Sequence, residues 1–278
     1  VAWGANLSVT ACFLSTVIPG IVLTALISIT TYFMLRGRDI ESGTGLSEGV
    51  ALRQVVVPRT IHAFPALLMP FIILGGIYGG VMTATEAAAV AALYAFPVAV
   101  FIYKGTTLKG MRSVLLDSAK STGTVMVMCV LTMALGQILT MEDLPTKLLS
   151  GLTSISDNPV VILLMINVFL VFIGMIMDDT CATMLCAPLL IPLGRQLGVN
   201  PYQMCAILVT NIGMGNVTPP TAPFLYMASG MANISAARVI KPVLILILCA
   251  YLPTLLLTTY IPAFSTWLPS LILGAKLG

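Results

Sequence analysis

The 278-residue chain is 58% hydrophobic and only 8% charged, with a mean hydropathy of +1.04. Soluble domains carry about 25% charge, so an ordinary soluble enzyme or binding domain is excluded and a polytopic membrane protein is required. The net charge of +3 comes from basic residues spread along loops rather than gathered in a patch, so it gives no sign of nucleic acid and no nucleic-acid partner is expected.

A hydrocarbon core of about 30 Å needs about 20 apolar residues per helix. The first such run is 9–35, which holds Pro19 and is preceded by Ala5-Asn6-Leu7-Ser8. The chain opens on Val1 with no signal peptide before that run, and it is expected to be an N-terminally truncated copy of a longer protein. Arg36, Arg38, Arg53 and Arg59 follow, and 47–60 reads as an interfacial segment. Spans are then predicted at 61–83 and 84–103, with His62, the only histidine, as an interfacial residue at the start of the first. Across their junction runs Gly75-Gly-Ile-Tyr-Gly-Gly-Val-Met-Thr-Ala-Thr-Glu-Ala-Ala-Ala89. Thr83 or Thr85 can cap the helix that starts there, and Glu86 then falls in its favourable first turn. Direct contact of Glu86 with substrate is the alternative. Gly75 and Gly76 permit an abrupt turn or close packing.

Lys104, Lys109, Arg112 and Lys120 lie in 105–120 or just before it, another segment read as interfacial; a span follows at 121–140. Segment 142–157 sets Lys147 against Glu142, Asp143 and Asp157 and again reads as interfacial. Region 159–194 is apolar apart from Asn167 and the run Gly174-Met-Ile-Met-Asp-Asp-Thr-Cys-Ala-Thr183. Intramembrane carboxylates cost at least about 2.5 kcal/mol each, so adjacent Asp178 and Asp179 need a reason. A re-entrant hairpin turning at Asp178-Asp179-Thr180 is one; two full spans joined by a tight turn, with Asp179 capping the second, is the other. Asn167, mid-arm, is expected to hydrogen-bond between helices.

Region 202–231 begins after Asn200-Pro201, an N-cap followed by proline at the first helical position. It is interrupted by Asn211-Ile-Gly-Met-Gly-Asn-Val-Thr-Pro-Pro-Thr-Ala-Pro223, which cannot continue a helix through hydrocarbon. A helix broken at mid-depth presents carbonyls at its first stub, expected near Ile212, and amides at its second, expected to restart near Pro220. The first suits a cation and the second an anionic group. A proline-kinked structural helix is the alternative, but it leaves Gly213, Gly215, Asn216 and Thr218 unexplained. Ala232-Asn233-Ile234-Ser235 then echoes residues 5–8 ahead of a last span at 239–262, which holds Pro253. Placing the basic groups in the cytoplasm, Arg238 and Lys241 included, sends 9–35 inward and 239–262 outward, the opposed orientations of inverted repeats. Cys12, Cys129, Cys181, Cys186, Cys205 and Cys249 all lie in apolar segments without a C-x-x-C pair and read as reduced membrane cysteines, with no transition-metal site.

Gly75–Ala89 resembles the motif G-G-I-Y-x-G-x-x-T-x-T-E-A-A-A of the large membrane subunit of TRAP (tripartite ATP-independent periplasmic) transporters. Gly174, Asp178, Ala182, Pro188, Pro192 and Gly198 resemble that subunit's hairpin, and Asn211, Gly213, Gly215 and Thr218-Pro219-Pro220 its N-x-x-x-G-x-x-T-P-P break. The resemblance runs over essentially the whole chain. Thr221-Ala222-Pro223 stand where the family commonly has Val-Gly, and its first-repeat hairpin and break are expected upstream of Val1. The resemblance implies an all-α, multi-pass transporter of the elevator type in a bacterial or archaeal inner membrane. It further implies inverted repeats, a re-entrant hairpin and a discontinuous helix. Its function would be sodium-coupled import of organic acids of the C4-dicarboxylate or sialic acid type. A periplasmic solute-binding protein and a small membrane (Q) subunit would be partners, with Na⁺ as coupling ion and no other cofactor.

In that reading residues 1–60 end a first repeat and supply a linker, 61–158 are scaffold spans, 159–231 form the transport core and 232–278 carry a C-terminal span. The expected ion ligands are Gly174, Asp178, Asp179, Thr180, Asn211, Gly213, Gly215 and Thr218. Thr183, Asn216, Pro219, Pro220 and Thr221 are expected at the substrate, and Gly75, Gly76, Thr85 and Glu86 in structural or gating roles. A standalone anion symporter without a binding protein is the first rival. An intramembrane enzyme using Asp178 and Asp179 is disfavoured, because adjacent carboxylates at a helix start diverge rather than share a site.

Overall fold

A computed structural model describes Ala2, residues 7–36 and residues 52–274. Among these residues all regular structure is helical. Contacts group the chain into two compact units, residues 35–124 and residues 1–34 with 125–278. Ala5 and Asn6 of the echo at 5–8, Arg38, and residues 47–51 of the segment 47–60 lie outside the described residues.

In the smaller unit, α2 (Leu52–Tyr78) packs against α3 (Ala84–Pro97), which a π-helical turn continues through Val98–Ile102. The predicted span 61–83 therefore stops at Tyr78. Gly79 N–H bonds Gly75 O at 2.9 Å, and the amides of Val81 and Met82 both reach Gly76 O at 3.1 Å. These bonds close the end of α2 and turn the chain, leaving 79–83 as a connection. Tyr94 Oη donates to Pro65 O at 2.8 Å and Tyr103 Oη to His62 O at 2.7 Å. The His62 and Tyr103 rings also stack, with centroids 5.6 Å apart.

Two segments read as interfacial are instead continuous with spans. From Leu52 onward the chain is already α2, and from Leu108 it is the start of α4 (Leu108–Met141), a 34-residue helix. No proline interrupts 108–141, and charge alone does not end a helix. At 1.5 Å per residue α4 is about 51 Å long, so its basic first turns extend beyond the hydrocarbon. Segment 142–157 does form a separate short helix, α5 (Leu144–Thr153).

The larger unit is built around α6 (Pro159–Ile176), α7 (Asp179–Gln196) and α8 (Pro201–Gly215). Both α6 and α7 make most of their contacts with α8 rather than with each other. Ile162, Ile166 and Leu170 recur every fourth residue on α6, and Ala182, Cys186, Leu190 and Leu193 form the matching stripe on α7. Every residue of α8 from Gln203 to Leu208 is buried, as its position between two partners demands. The N-caps follow the sequence: Asn158, Asp178 and Asn200 accept from the amides of Val160 (3.0 Å), Thr180 (3.1 Å) and Tyr202 (2.9 Å). The short α9 (Pro223–Met231) leads to a span made of α10 (Ala236–Leu246), a π-helical turn and α11 (Leu252–Tyr260). The chain then turns into α12 (Ala263–Leu273), a helix beyond the predicted last span at 239–262 that the sequence reading did not foresee.

Among the described residues six helices are long and apolar enough to cross a membrane: Val9–Leu35 (α1), Thr60–Tyr78, Ala84–Ile102, Gly110–Met141, Pro159–Ile176 and Ala236–Tyr260. α7 and the two stubs α8 and α9 are not among them.

Candidate functional site

The turn between α6 and α7 and the break between α8 and α9 are brought together. Gly174, in the last turn of α6, lies against the last turn of α8. A Cβ on Gly174 would stand 3.0 Å from both Cα and O of Ile212, and one on Gly215 would stand 2.6 Å from Gly174 Cα and 2.8 Å from Met175 N. Only glycine at both positions lets the two backbones meet this closely. Thr221 Oγ1 adds a hydrogen bond of 2.6 Å to Met175 O. Two helix C-termini, each with the partial negative charge of its last carbonyls, are thus held side by side.

α8 runs three residues past the predicted end. Asn216 N–H bonds Ile212 O at 3.0 Å, Thr218 N–H bonds Gly215 O at 2.9 Å, and Thr218 Oγ1 donates to Met214 O at 2.7 Å. Asn211 is fully buried and Asn216 nearly so, and the Oδ1 of each is buried without a hydrogen-bond partner. A buried carbonyl oxygen left bare costs about 1–3 kcal/mol, which a hard cation with oxygen ligands recovers. Gly213 shares none of this crowding, since a Cβ there meets nothing within 4 Å.

The second stub begins later than predicted. α9 starts at Pro223 with Ala222 as N-cap at φ 30°, so Pro220 and Thr221 belong to the connecting loop. Proline disfavours helical geometry in the residue before it, and Pro223 therefore holds Ala222 out of the helix. Pro223 has no N–H, and Tyr226 N–H already bonds Ala222 O, so the amides open to an anion are those of Phe224 and Leu225. Pro219 and Pro220 are joined by a cis bond, and Tyr226 Oη donates to Pro220 O at 3.1 Å.

The acidic pair sits differently. Asp178 and Asp179 are exposed at the turn. Asp178, not Asp179, caps α7, while Asp179 Oδ1 accepts from Thr180 Oγ1 at 3.4 Å. Among the described residues neither carboxylate bonds any group of α8. Thr183 is half-buried on the first turns of α7.

Gly75, Gly76, Thr85 and Glu86 all belong to the turn in the smaller unit. Thr83 rather than Thr85 is the N-cap, and Glu86 closes a capping box. Glu86 Oε2 accepts from Thr83 N–H at 2.7 Å and from Thr83 Oγ1 at 2.8 Å, and the Thr85 hydroxyl lies 3.2 Å from that of Thr83. Because glutamine also completes such a box, Glu86→Gln is expected to leave the substrate KM for uptake unchanged and Glu86→Ala to lower the unfolding temperature. A raised KM in Glu86→Gln would instead make the charge itself a substrate contact.

Sequence reasoning foresaw Asn167 as an interhelical hydrogen bonder, which it is, but missed its partners. Asn167 Nδ2 donates to Thr259 Oγ1 at 3.0 Å and Asn211 Nδ2 to Asn167 Oδ1 at 2.9 Å. Gln203 Nε2 reaches Thr259 O at 2.9 Å and Thr258 O at 3.3 Å. The signal was there only in part: Gln203 and Asn211 lie eight residues apart on α8, whereas nothing in the sequence sets Thr259 apart from Thr254 and Thr258, whose hydroxyls bond within their own span.

Residues 1–264 match the family model of the tripartite ATP-independent periplasmic transporter, DctM component. The chain belongs to that family. It is 36% identical over 264 residues to the uncharacterized protein YgiK of Salmonella typhimurium, covering 95% of this chain and 59% of that one. It is 33% identical over 269 residues to the sialic acid TRAP transporter large permease protein SiaM of Vibrio cholerae, covering 97% and 62%. Over 198 residues it is 38% identical to the isethionate TRAP transporter permease protein DctMQ of Oleidesulfovibrio alaskensis, covering 71% and 31%. The chain thus spans about three fifths of the length of YgiK and SiaM. Membership in this DctM family, with six helices of spanning length, makes it a multi-pass protein of the inner membrane. The relatives named for a function are transporter permeases, not enzymes.

Proposed function

We propose that this DctM-family chain carries the hairpin and broken-helix half of a sodium-coupled importer of small organic acids. The observations that carry the reading are the meeting of two helix C-termini at Gly174 and Gly215 and the buried, bare side-chain oxygens of Asn211 and Asn216 at the same end of α8. Sodium, taken up with the substrate, would bind the neutral oxygens of this corner and offset the partial negative charge of both helix ends. The Thr221–Met175 hydrogen bond would pass its effect to the hairpin turn. The amides of Phe224 and Leu225 would face the acid group of the substrate. Relatives named for sialic acid, C4-dicarboxylates and isethionate share only a small organic anion as substrate, and that is the class inferred here.

The substrate would arrive from a periplasmic binding protein, with a small membrane subunit completing the permease. α6, α7, α8 and α9 would move together as the carrying element, in an elevator motion. Uptake into proteoliposomes holding the complete transporter, supplied with its binding protein, tests the coupling. Replacing Na⁺ by choline is expected to abolish uptake, and unchanged uptake would remove sodium from the reading.

A further inference from the structure

We propose that Asn167 and Thr259 are positioning residues for the cation site at the break, so that the C-terminal span α11 helps to set sodium affinity. The inference rests on the sodium reading of that corner. Asn211 has one side-chain oxygen and one nitrogen, and only one orientation presents the oxygen as a ligand. Its nitrogen donates to Asn167 Oδ1 at 2.9 Å and to Ile207 O at 2.8 Å, which commits both N–H groups and leaves Oδ1 bare. The orientation of Asn167 is fixed in turn, because its Nδ2 donates to Thr259 Oγ1 at 3.0 Å. The single hydroxyl proton of Thr259 goes to Leu255 O at 2.8 Å, its shortest contact, so Thr259 serves Asn167 as an acceptor. The two interhelical donors run from α8 through α6 to α11, and the acceptor left bare at the start of the chain is Asn211 Oδ1.

The far end of this chain is held as well. Thr258 O would bond the amide four residues on, but Pro262 has none. Gln203 Nε2 reaches Thr258 O and Thr259 O instead, which fixes the end of α11 to the same helix that carries Asn211. Asn167, Gln203, Asn211 and Thr259 are all at most 3% exposed, so no solvent competes for these bonds. Hydrogen bonds between helices in a membrane interior contribute little to stability on average. A one-way chain with a bare oxygen at its start is better accounted for as an orienting device.

The test measures the Na⁺ concentration for half-maximal uptake in the complete reconstituted transporter, and the Na⁺-induced rise in unfolding temperature of the same protein in detergent. Thr259→Val and Asn167→Leu are expected to raise the half-maximal Na⁺ concentration about tenfold or more, as loss of a supporting partner does at metal sites. The substrate KM at saturating Na⁺ should stay unchanged and Thr259→Ser should restore the wild-type Na⁺ value. Thr259→Ala takes the place of the valine variant if that one fails to fold. Thr258→Val is the control, because the Thr258 hydroxyl bonds only Thr254 O within its own helix, at 2.7 Å. An unshifted Na⁺ dependence in both Thr259→Val and Asn167→Leu, or an equal shift in Thr258→Val, overturns the positioning role. Wild-type protein insensitive to Na⁺ in both measurements overturns the sodium reading itself, which is a separate result.

Discussion

Gly215→Ala is expected to lower uptake at least about tenfold, the equivalent of 1.4 kcal/mol, while Gly213→Ala is expected to leave it near wild type. Both changes add one methyl group to the last turn of α8, and both gain about 0.5–1 kcal/mol of helix preference. They differ in what the methyl meets. At 213 it meets nothing within 4 Å, whereas at 215 it would stand 2.6 Å from Gly174 Cα and 2.8 Å from Met175 N. Those neighbours are backbone, so no rotamer change relieves the overlap, and α6 and α8 must move apart. Overpacking typically costs about 1–3 kcal/mol, which exceeds the propensity gain. Separation also pulls Thr221 from Met175 O and parts the two helix ends that make the site. Uptake assays and thermal unfolding of both variants check this; equal activity in the pair would mean that the backbone contact has no part in transport.

The helical class, α1 and the span from Ala84 to Ile102 were legible because membrane helices announce themselves through long apolar runs and their breakers. Asn200-Pro201 marked the start of α8, and the glycines and prolines of 211–223 marked its end. Boundaries failed where the deciding group was backbone. Gly76 O collecting two amides ended α2 at Tyr78, and the restriction before Pro223 delayed α9. At the site, Gly174 and Gly215 were singled out as carbonyl donors, but their contact with each other is a property of packing that no local pattern carries. Polarity likewise drew attention to the carboxylates of Asp178 and Asp179. The bare oxygens on Asn211 and Asn216 depend on which neighbours occupy the amide nitrogens, and that is visible only in three dimensions.

Those two classes of oxygen lead to opposite expectations for sodium. If the carboxylates hold the ion, Asp178→Asn with Asp179→Asn should remove Na⁺ dependence. The geometry supports the reverse: the double variant is expected to keep the wild-type half-maximal Na⁺ concentration, and Asn216→Ala to raise it about tenfold or more, in the range seen when metal-site groups are lost. Asparagine caps a helix about as well as aspartate, so the Thr180 N–H bond that starts α7 survives in the double variant. Asn216 is 2% exposed, with its Oδ1 buried and bare beside the end of α8. Removing that oxygen also relieves a desolvation cost of about 1–3 kcal/mol, so Asn216→Ala should be no less stable than wild type without Na⁺ and should gain less from its addition. A purely structural asparagine would give the other pattern, lower stability without Na⁺ and an unaltered gain with it. Unfolding temperatures of the three proteins with and without Na⁺ separate the cases before any transport is measured.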